Sequence, residues 1–235
     1  MKLAIEIIGD EGETEYLGRV LNMTNMHEAE MRNRTTRAWA KFAKHKAELT
    51  CKDIPISLRL KLFDAVVTPT MLYGAGTWAM TKGRETQLRT VQRKMLRSIT
   101  STQSFLKFQT TEDYVEWVRT ATRKAEALMS QHNVEDWVKK QRGRQWEWAG
   151  KVASRNDKRW SQEVIGWEPP DARKRGRPRQ RWHDAVNEFV TTKSGSKSQG
   201  GDWVSFAKDE KKWNKWKEEF NKHDKICQAF VARAV

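Results

Sequence analysis

The chain has 235 residues and a formal net charge of +15 at pH 7, which is enough length for one large domain or two small ones. A balance this basic favours a polyanionic partner, most simply nucleic acid. The chain has two distant cysteines, Cys51 and Cys227, which exclude a disulfide framework and a zinc knuckle. It has no run of about 18 apolar residues, which excludes a membrane partner. We therefore expect an intracellular protein.

The N-terminal residues carry nearly all the predicted β-structure. Residues 3–8 and residues 15–21 predict two strands, and the glycine-flanked residues 9–12 predict the turn between them. From Asn25 onward the sequence predicts helices. The expected fold is therefore mostly α: a short hairpin, a helical bundle, and a further helical region with flexible linkers.

Two helices are predicted directly after the hairpin. Residues 27–49 are rich in helix-forming residues and place Trp39 and Phe42 on one side. A second helix is expected to begin at Ser57, which has the side chain of an N-cap. Pro69 is expected to kink or restart that helix.

Residues 84–100 give the clearest helix. Its apolar side carries residues spaced by three and four: Leu88, Val91, Met95 and Ile99. Its opposite side carries arginines spaced by four, with one lysine beside them: Arg89, Arg93, Arg97 and Lys94. Contacts to the phosphates of a duplex need cations at a regular rise along a rigid element, and a helix supplies about 6 Å per four residues. The alternative is a solvated polar face.

Further helices are predicted in the second half of the chain. Residues 114–129 and 134–152 have helical patterns, and a final helix is expected to begin near Asp202. The Ser/Gly/Lys-rich residues 191–201 predict a flexible linker before that helix.

Several blocks of sequence, taken together and in order, resemble one family. The blocks are residues 15–18, 67–78, 92–99, 144–153 and 175–182, followed by Trp203, Ala207, Asp209 and Trp213. They resemble the C-terminal third of the reverse transcriptase of non-LTR (LINE-type) retrotransposons. The resemblance implies a palm-edge hairpin (residues 1–22), a thumb-like domain (23–100) and post-thumb helices (101–171). A basic linker (172–181) and C-terminal helices (182–235, with a linker at 191–202) would follow.

The resemblance has departures, of which an absence is the largest. The family often has glutamate, histidine and arginine where this chain has Gly76, Lys151 and Glu210. Polymerisation in the family uses paired palm aspartates that hold two metal ions, and no Asp-Asp pair occurs here. Those aspartates would lie upstream of Glu15, so the chain is expected to be a piece without the active site and not an enzyme on its own.

A run of basic residues precedes Trp182. Its cationic members are Arg173, Lys174, Arg175, Arg177, Arg179 and Arg181. The Arg-Gly-Arg-Pro at residues 175–178 fits an AT-hook, in which an extended backbone enters a narrow minor groove. A phosphate-contacting connector and a solvated loop are the alternatives, and the resemblance favours the connector. A nuclear address at residues 173–175 is compatible with any of these.

Twelve tryptophans are unusual for this length. An exposed aromatic beside cations can stack on unpaired bases, but most tryptophans here have helical spacing and are expected in the core. These are Trp39, Trp137, Trp148, Trp182, Trp203 and Trp213. The pattern leaves Trp146 and Trp216 open.

The predicted function is non-catalytic nucleic-acid binding, as the duplex-gripping part of such a reverse transcriptase. RNA, DNA or a hybrid duplex is the expected partner, with the missing N-terminal polymerase region as another, and a nuclear location is expected. No cofactor or metal is predicted, because the five histidines are scattered and none is spaced with a cysteine as a zinc ligand. The alternatives are an AT-hook protein and a non-functional relic of a decayed element, since the apolar fraction of 37% is low.

Overall fold

The computed structural model describes residues 9, 12–22, 24–100, 110–155, 157, 159–166, 181–195 and 203–223. About 75% of the described residues are helical, and within them one two-stranded antiparallel hairpin precedes the helices. The predicted mostly α fold is therefore confirmed.

The described elements are as follows in chain order. The strands are β1 (Thr14–Tyr16) and β2 (Arg19–Leu21). The helices of the first half are α1 (Met26–Lys44), α2 (Lys46–Thr50), α3 (Ile56–Met71), a 3-10 turn (Ala75–Thr77) and α4 (Lys82–Thr100). Those of the second half are α5 (Thr111–Gln131), α6 (Trp137–Ala153), α7 (Trp160–Gly166), α8 (Asp184–Ser194), α9 (Trp203–Ala207) and α10 (Glu210–Lys222).

The hairpin lies later in the chain than predicted. Residues 15–21 were expected to form one strand, but Glu15 pairs with Val20 across a turn at Leu17 and Gly18. Both turn residues have positive φ, 49° and 78°, which is the backbone of a type I′ turn. The other predicted strand, residues 3–8, lies outside the described residues.

A buried carboxylate and guanidinium hold the hairpin against α1. The Glu30 carboxylate accepts hydrogen bonds from the Val20 amide at 2.8 Å and from Arg34 Nε at 2.7 Å. Arg34 also donates to the Gly18 carbonyl. Glu30 and Arg34 are both buried. The hairpin therefore depends on a buried ion pair whose two side chains also form hydrogen bonds to the hairpin backbone.

Tyr73, just beyond the end of α3, holds the same turn from another side. Its hydroxyl donates to the Leu17 carbonyl at 3.0 Å. Its ring lies 4.5 Å from the Arg34 guanidinium carbon, a cation–π distance. These contacts offset the strain of a leucine with positive φ.

The first long helix is shorter than predicted. The expected helix over residues 27–49 breaks at His45, so that α1 and the short α2 are separate. Trp39 and Phe42 do share a side of α1, with ring centroids 5.5 Å apart.

Helix α3 begins and ends differently from the prediction. It begins at Ile56 after the extended Pro55, whose φ is −51° and ψ is 137°, so Ser57 is not the N-cap. Pro69 lies inside α3 and does not restart it, because the helix ends only two residues later. Pro69 cannot donate a backbone hydrogen bond to Ala65, four residues earlier, and α3 ends two residues after it.

The chain divides into two compact units. The first unit is Met1–Gly74 with Gln87–Trp137, and the second unit is Ala75–Thr86 with Val138–Val235. The domain boundaries expected from the resemblance, at residues 22, 100, 171 and 181, stay a prediction.

The core of the first unit contains the predicted apolar side of α4. Leu88, Val91, Met95 and Ile99 are all buried, which confirms the helical pattern. Beside them, Trp137 stacks on Phe63 with centroids 5.7 Å apart, and its indole N–H donates to Thr68 Oγ1 at 2.8 Å.

The core of the second unit is built on a reciprocal tryptophan pair. Trp146 and Trp213 stack with centroids 3.7 Å apart and an angle of 9° between the rings. Each indole N–H donates to the other residue's carbonyl oxygen, both at 3.1 Å. Phe189 and Phe220 pack around the pair. Trp146, left open by the sequence, is therefore a core residue.

The other tryptophans singled out by the sequence divide into two groups. Trp137, Trp203 and Trp213 are buried, as predicted. Trp39, Trp148 and Trp182 are half-buried, so for them the core prediction holds only in part. Trp216, which the sequence left open, is also half-buried.

The C-terminal helices also correct the sequence prediction. Residues 191–194, expected to belong to a linker, complete α8, which ends at Gly195 with φ 66°. The final helix is two helices, because the Asp209 side chain accepts a hydrogen bond from the Lys212 amide and caps α10. The rest of the expected linker, residues 196–202, lies outside the described residues.

Candidate nucleic-acid interface

The arginine stripe of α4 faces α5. The sequence analysis predicted this helix but not its contact with the stripe. Arg93 Nε donates to Glu126 Oε1 at 2.6 Å, and Arg97 donates to Thr122 Oγ1 at 3.0 Å. The two partners are four residues apart on α5, and the later arginine contacts the earlier partner, as expected for antiparallel helices. The stripe is therefore neither a bare phosphate-binding surface nor a simple solvated face.

Arg89, at the other end of the stripe, has an acidic neighbour as well. Its Nε lies 3.5 Å from Asp136 Oδ2, just before α6 begins. The side chains of Arg89 and Arg93 keep 18% and 30% of their exposure. Both cations are therefore reachable from one side while held by a carboxylate on the other.

Arg97 is half-buried, as Arg89 and Arg93 are. Burial lowers the pKa of its guanidinium, Tyr114 opposes that shift, and the positive charge of Arg93 adds to it. An arginine remains charged under these conditions. The guanidinium is therefore partly desolvated where it donates to Thr122.

Lys94 is more exposed than the other members of the predicted set that the structure describes. It projects from α4 beside the buried Met95 and is exposed to solvent. Of the second predicted cluster, the described residues include Arg181, whose backbone amide donates to Asp184 Oδ2 at 2.7 Å at the start of α8. The remaining members, Arg173, Lys174, Arg175, Arg177 and Arg179, lie outside the described residues.

Comparison with known proteins gives the origin of the chain. It is 30% identical over 211 residues to an uncharacterised transposon-derived protein of Caenorhabditis elegans, and the match covers 88% of this chain and 70% of that protein. The chain belongs to this family of transposon-derived proteins. No family model matches the chain, and no solved structure matches it. The transposon origin expected from the motif blocks is thus confirmed.

This transposon-derived protein has further exposed cations that the sequence reasoning missed. They lie on the outer side of α5: Arg119, Arg123 and Lys124. The spacing of four between Arg119 and Arg123 was visible in the sequence, but the helix had been assigned by its apolar residues alone. The same helix also exposes Glu112, Asp113, Glu116 and Glu126, so α5 presents charges of both signs to solvent.

The residues that the structure describes hold neither a cluster of metal ligands nor a membrane-spanning helix. Within them, no three His, Cys, Asp or Glu side chains come together as metal ligands. A helix with the length and apolar character of a bilayer span is also not found among them.

Proposed function

We propose that this chain is a non-catalytic, nucleic-acid-binding part of a non-LTR retrotransposon reverse transcriptase, comprising palm edge, thumb and post-thumb. The observation that carries the proposal is a transposon-derived relative that matches 88% of a chain whose net charge is +15. The order of the motif blocks supports assigning the chain to the C-terminal third of that polymerase. The proposed partner is a primer–template or target duplex, held through its phosphates, and the proposed location is nuclear.

The proposed grip is electrostatic. Lys94 is exposed, while Arg89 and Arg93 are held in partly exposed ion pairs. Such pairs contribute only about 0–1 kcal/mol to stability, so a phosphate can replace Glu126 at Arg93 at little cost. Arg97 would contribute mainly by supporting the helix. The basic residues 173–181 are proposed, from sequence, as a second phosphate contact.

The chain is proposed to lack polymerase activity by itself. Two-metal phosphoryl transfer needs carboxylates that hold ions about 4 Å apart, and the sequence contains no Asp-Asp pair. Incubation of the purified chain with a primed RNA template, Mg²⁺ and deoxynucleotides is expected to give no primer extension. Any extension would overturn this part of the proposal.

Fluorescence anisotropy tests the duplex grip directly. The purified chain is titrated with A·T-rich DNA, G·C-rich DNA and an RNA–DNA hybrid, each at 50 and 200 mM salt, with Arg177→Ala alongside. With about four phosphate contacts, affinity for all three should fall roughly a hundredfold between the two salt concentrations.

The other outcomes select the other candidates. A preference for A·T duplex that Arg177→Ala abolishes would replace the proposal with an AT-hook. Salt-insensitive binding, or no binding even at low salt, would contradict it, and the latter would favour a relic of a decayed element.

A further inference from the structure

Trp160, the first residue of α7, is unlike the other tryptophans of this chain. Its side chain is 82% exposed. Eleven of the twelve tryptophans lie within the described residues, and each of the other ten is buried or half-buried. A side chain this large is usually placed where at least one ring face is covered.

The exposure of Trp160 follows from how α7 is attached to the second unit. Ile165, five residues further along the helix, packs against the aromatic core that contains Trp146. Five residues turn an α-helix through about 140° beyond one full turn. With Ile165 held inward, the indole of Trp160 is directed away from that core.

The residues around Trp160 in the chain are cationic. Arg159 is exposed and is held by Asp157, with Nε and Oδ2 2.7 Å apart. Arg155 lies over the ring of Trp148 with its guanidinium carbon 6.0 Å from the centroid. Residues 151–160 contain four basic residues and one acidic residue. Arg155 and Arg159 are within five residues of Trp160, and five residues of chain span at most about 17 Å, so both cations lie near the indole.

The charges around the indole favour a nucleobase over an apolar partner. The exposed described residues between 151 and 163 other than Trp160 are polar or charged: Lys151, Ser154, Asp157, Arg159 and Glu163. A protein partner or a lipid surface would need a continuous apolar patch. An unpaired base needs one open aromatic face and a cation near its phosphate.

We propose that Trp160 is a stacking platform for an unpaired base of single-stranded nucleic acid, with Arg159 and Arg155 contacting the flanking phosphates. This inference rests on the proposed nucleic-acid binding and adds a second kind of contact to it. The first unit would grip a duplex without reading bases, and the second unit would hold a single strand.

The test compares single-stranded and duplex oligonucleotides of the same sequence in anisotropy titrations of the full chain. The variants are Trp160→Ala, Trp160→Phe, which keeps an aromatic face, and Leu58→Ala. Leu58→Ala is the control because it removes an exposed apolar side chain that has no aromatic face and belongs to the first unit. Acrylamide quenching of tryptophan fluorescence, with and without the single strand, reports directly on the indole.

Trp160→Ala should weaken single-strand binding about 5- to 100-fold and leave duplex binding within about twofold. Trp160→Phe should keep most of the affinity, and Leu58→Ala should behave as the unmodified chain. The single strand should protect the unmodified chain from acrylamide, and that protection should be lost in Trp160→Ala.

Three results would overturn the stacking platform. They are unchanged single-strand binding by Trp160→Ala, an equal loss on single strand and duplex, and a loss in Trp160→Phe as large as that in Trp160→Ala. In each case the unmodified chain still binds, so the proposed function survives. Failure of the unmodified chain to bind any strand would overturn both proposals.

Discussion

At the scale of single residues, the second unit depends on a close approach between two helices. Gly150, on α6, leaves space for the indole of Trp213, and a Cβ atom built at Gly150 would lie 2.5 Å from Trp213 Nε1. That nitrogen donates to the Trp146 carbonyl. A methyl group would therefore displace both the ring and its hydrogen bond.

Gly150→Ala should destabilise the protein by about 1–3 kcal/mol, because overpacking forces a rigid indole out of its stacked position. The measurement is the midpoint of urea unfolding followed by tryptophan fluorescence. Gly83→Ala is the matched control: it is also a helical glycine, but its Cβ would meet nothing closer than 3.9 Å. Equal midpoints for the two variants would contradict the packing argument.

The buried pair of Glu30 and Arg34 makes a second prediction at the residue scale. Removing one member of a buried ion pair leaves the other charge unpaired and costs about 3–5 kcal/mol, so Glu30→Ala should lower the free energy of unfolding by roughly that amount. Glu13→Ala removes a carboxylate from the exposed pair with Arg32 and should change it by less than about 1 kcal/mol. Calorimetric unfolding of both variants checks the difference. Similar losses of unfolding free energy would show that burial of the Glu30–Arg34 pair does not raise the cost of removing its carboxylate.

At the scale of elements, the pairing of α4 with α5 shows how far periodicity leads. The spacing of Leu88 and Met95 predicted the buried side of α4 because that pattern is local. It could not predict what covers the opposite side, since Thr122 and Glu126 lie 25 and 33 residues from their arginine partners. A hairpin was predicted, but its turn was placed too early in the chain, for a related reason. A leucine with positive φ has no local signature, and its turn is held by Tyr73, 56 residues away from Leu17.

The covered stripe changes what substitutions in α4 should do. Lys94→Ala should reduce the slope of log affinity against log salt by about 0.9, the value of one lost phosphate contact, without changing stability. Arg97→Ala should instead lower stability and leave that slope nearly unchanged. Anisotropy titrations over a salt series and urea unfolding separate the two effects, with the exposed Lys46→Ala of α2 as a control. A larger slope change for Arg97→Ala than for Lys94→Ala would contradict the assignment.

The start of α10 should make stability depend on pH. Hydrogen bonds from the Lys212 amide and then its side chain hold the pKa of Asp209 below its ordinary value. A carboxyl with a depressed folded-state pKa stabilises above its unfolded pKa, and that stability is lost as pH falls through the folded-state value. Asp209→Ala should therefore be less stable than the unmodified chain at pH 7, with a difference that shrinks below about pH 4.

Thermal unfolding monitored across pH 2–7 measures that difference. Asp209→Asn keeps a capping oxygen without the charge, so it should lie between the two proteins at pH 7 and show a weaker pH dependence. A gap between Asp209→Ala and the unmodified chain that stays constant down to pH 2 would contradict the capping argument.

At the scale of the whole molecule, the sequence predicted the net charge and the mostly α fold class better than it predicted which residues form the core of each unit. The helical class and the buried side of α4 follow from patterns within one element. The aromatic core of the second unit does not, because Trp146 and Trp213 are 67 residues apart, and spacing alone left Trp146 undecided. The candidate site was predictable only as a set of cations. Which of them stay exposed depends on neighbours from other elements.

The reciprocal tryptophan pair also gives the second unit an optical signature. Two indoles stacked 3.7 Å apart couple their electronic transitions, and such coupling contributes a paired positive and negative band to the far-ultraviolet circular dichroism spectrum. The neighbouring indoles of Trp182 and Trp203, 5.8 Å apart, add to this signal, which should be lost when the aromatic core opens, whatever the remaining helix content. The molecule therefore carries a built-in reporter that can follow the core of its second unit in solution without any label.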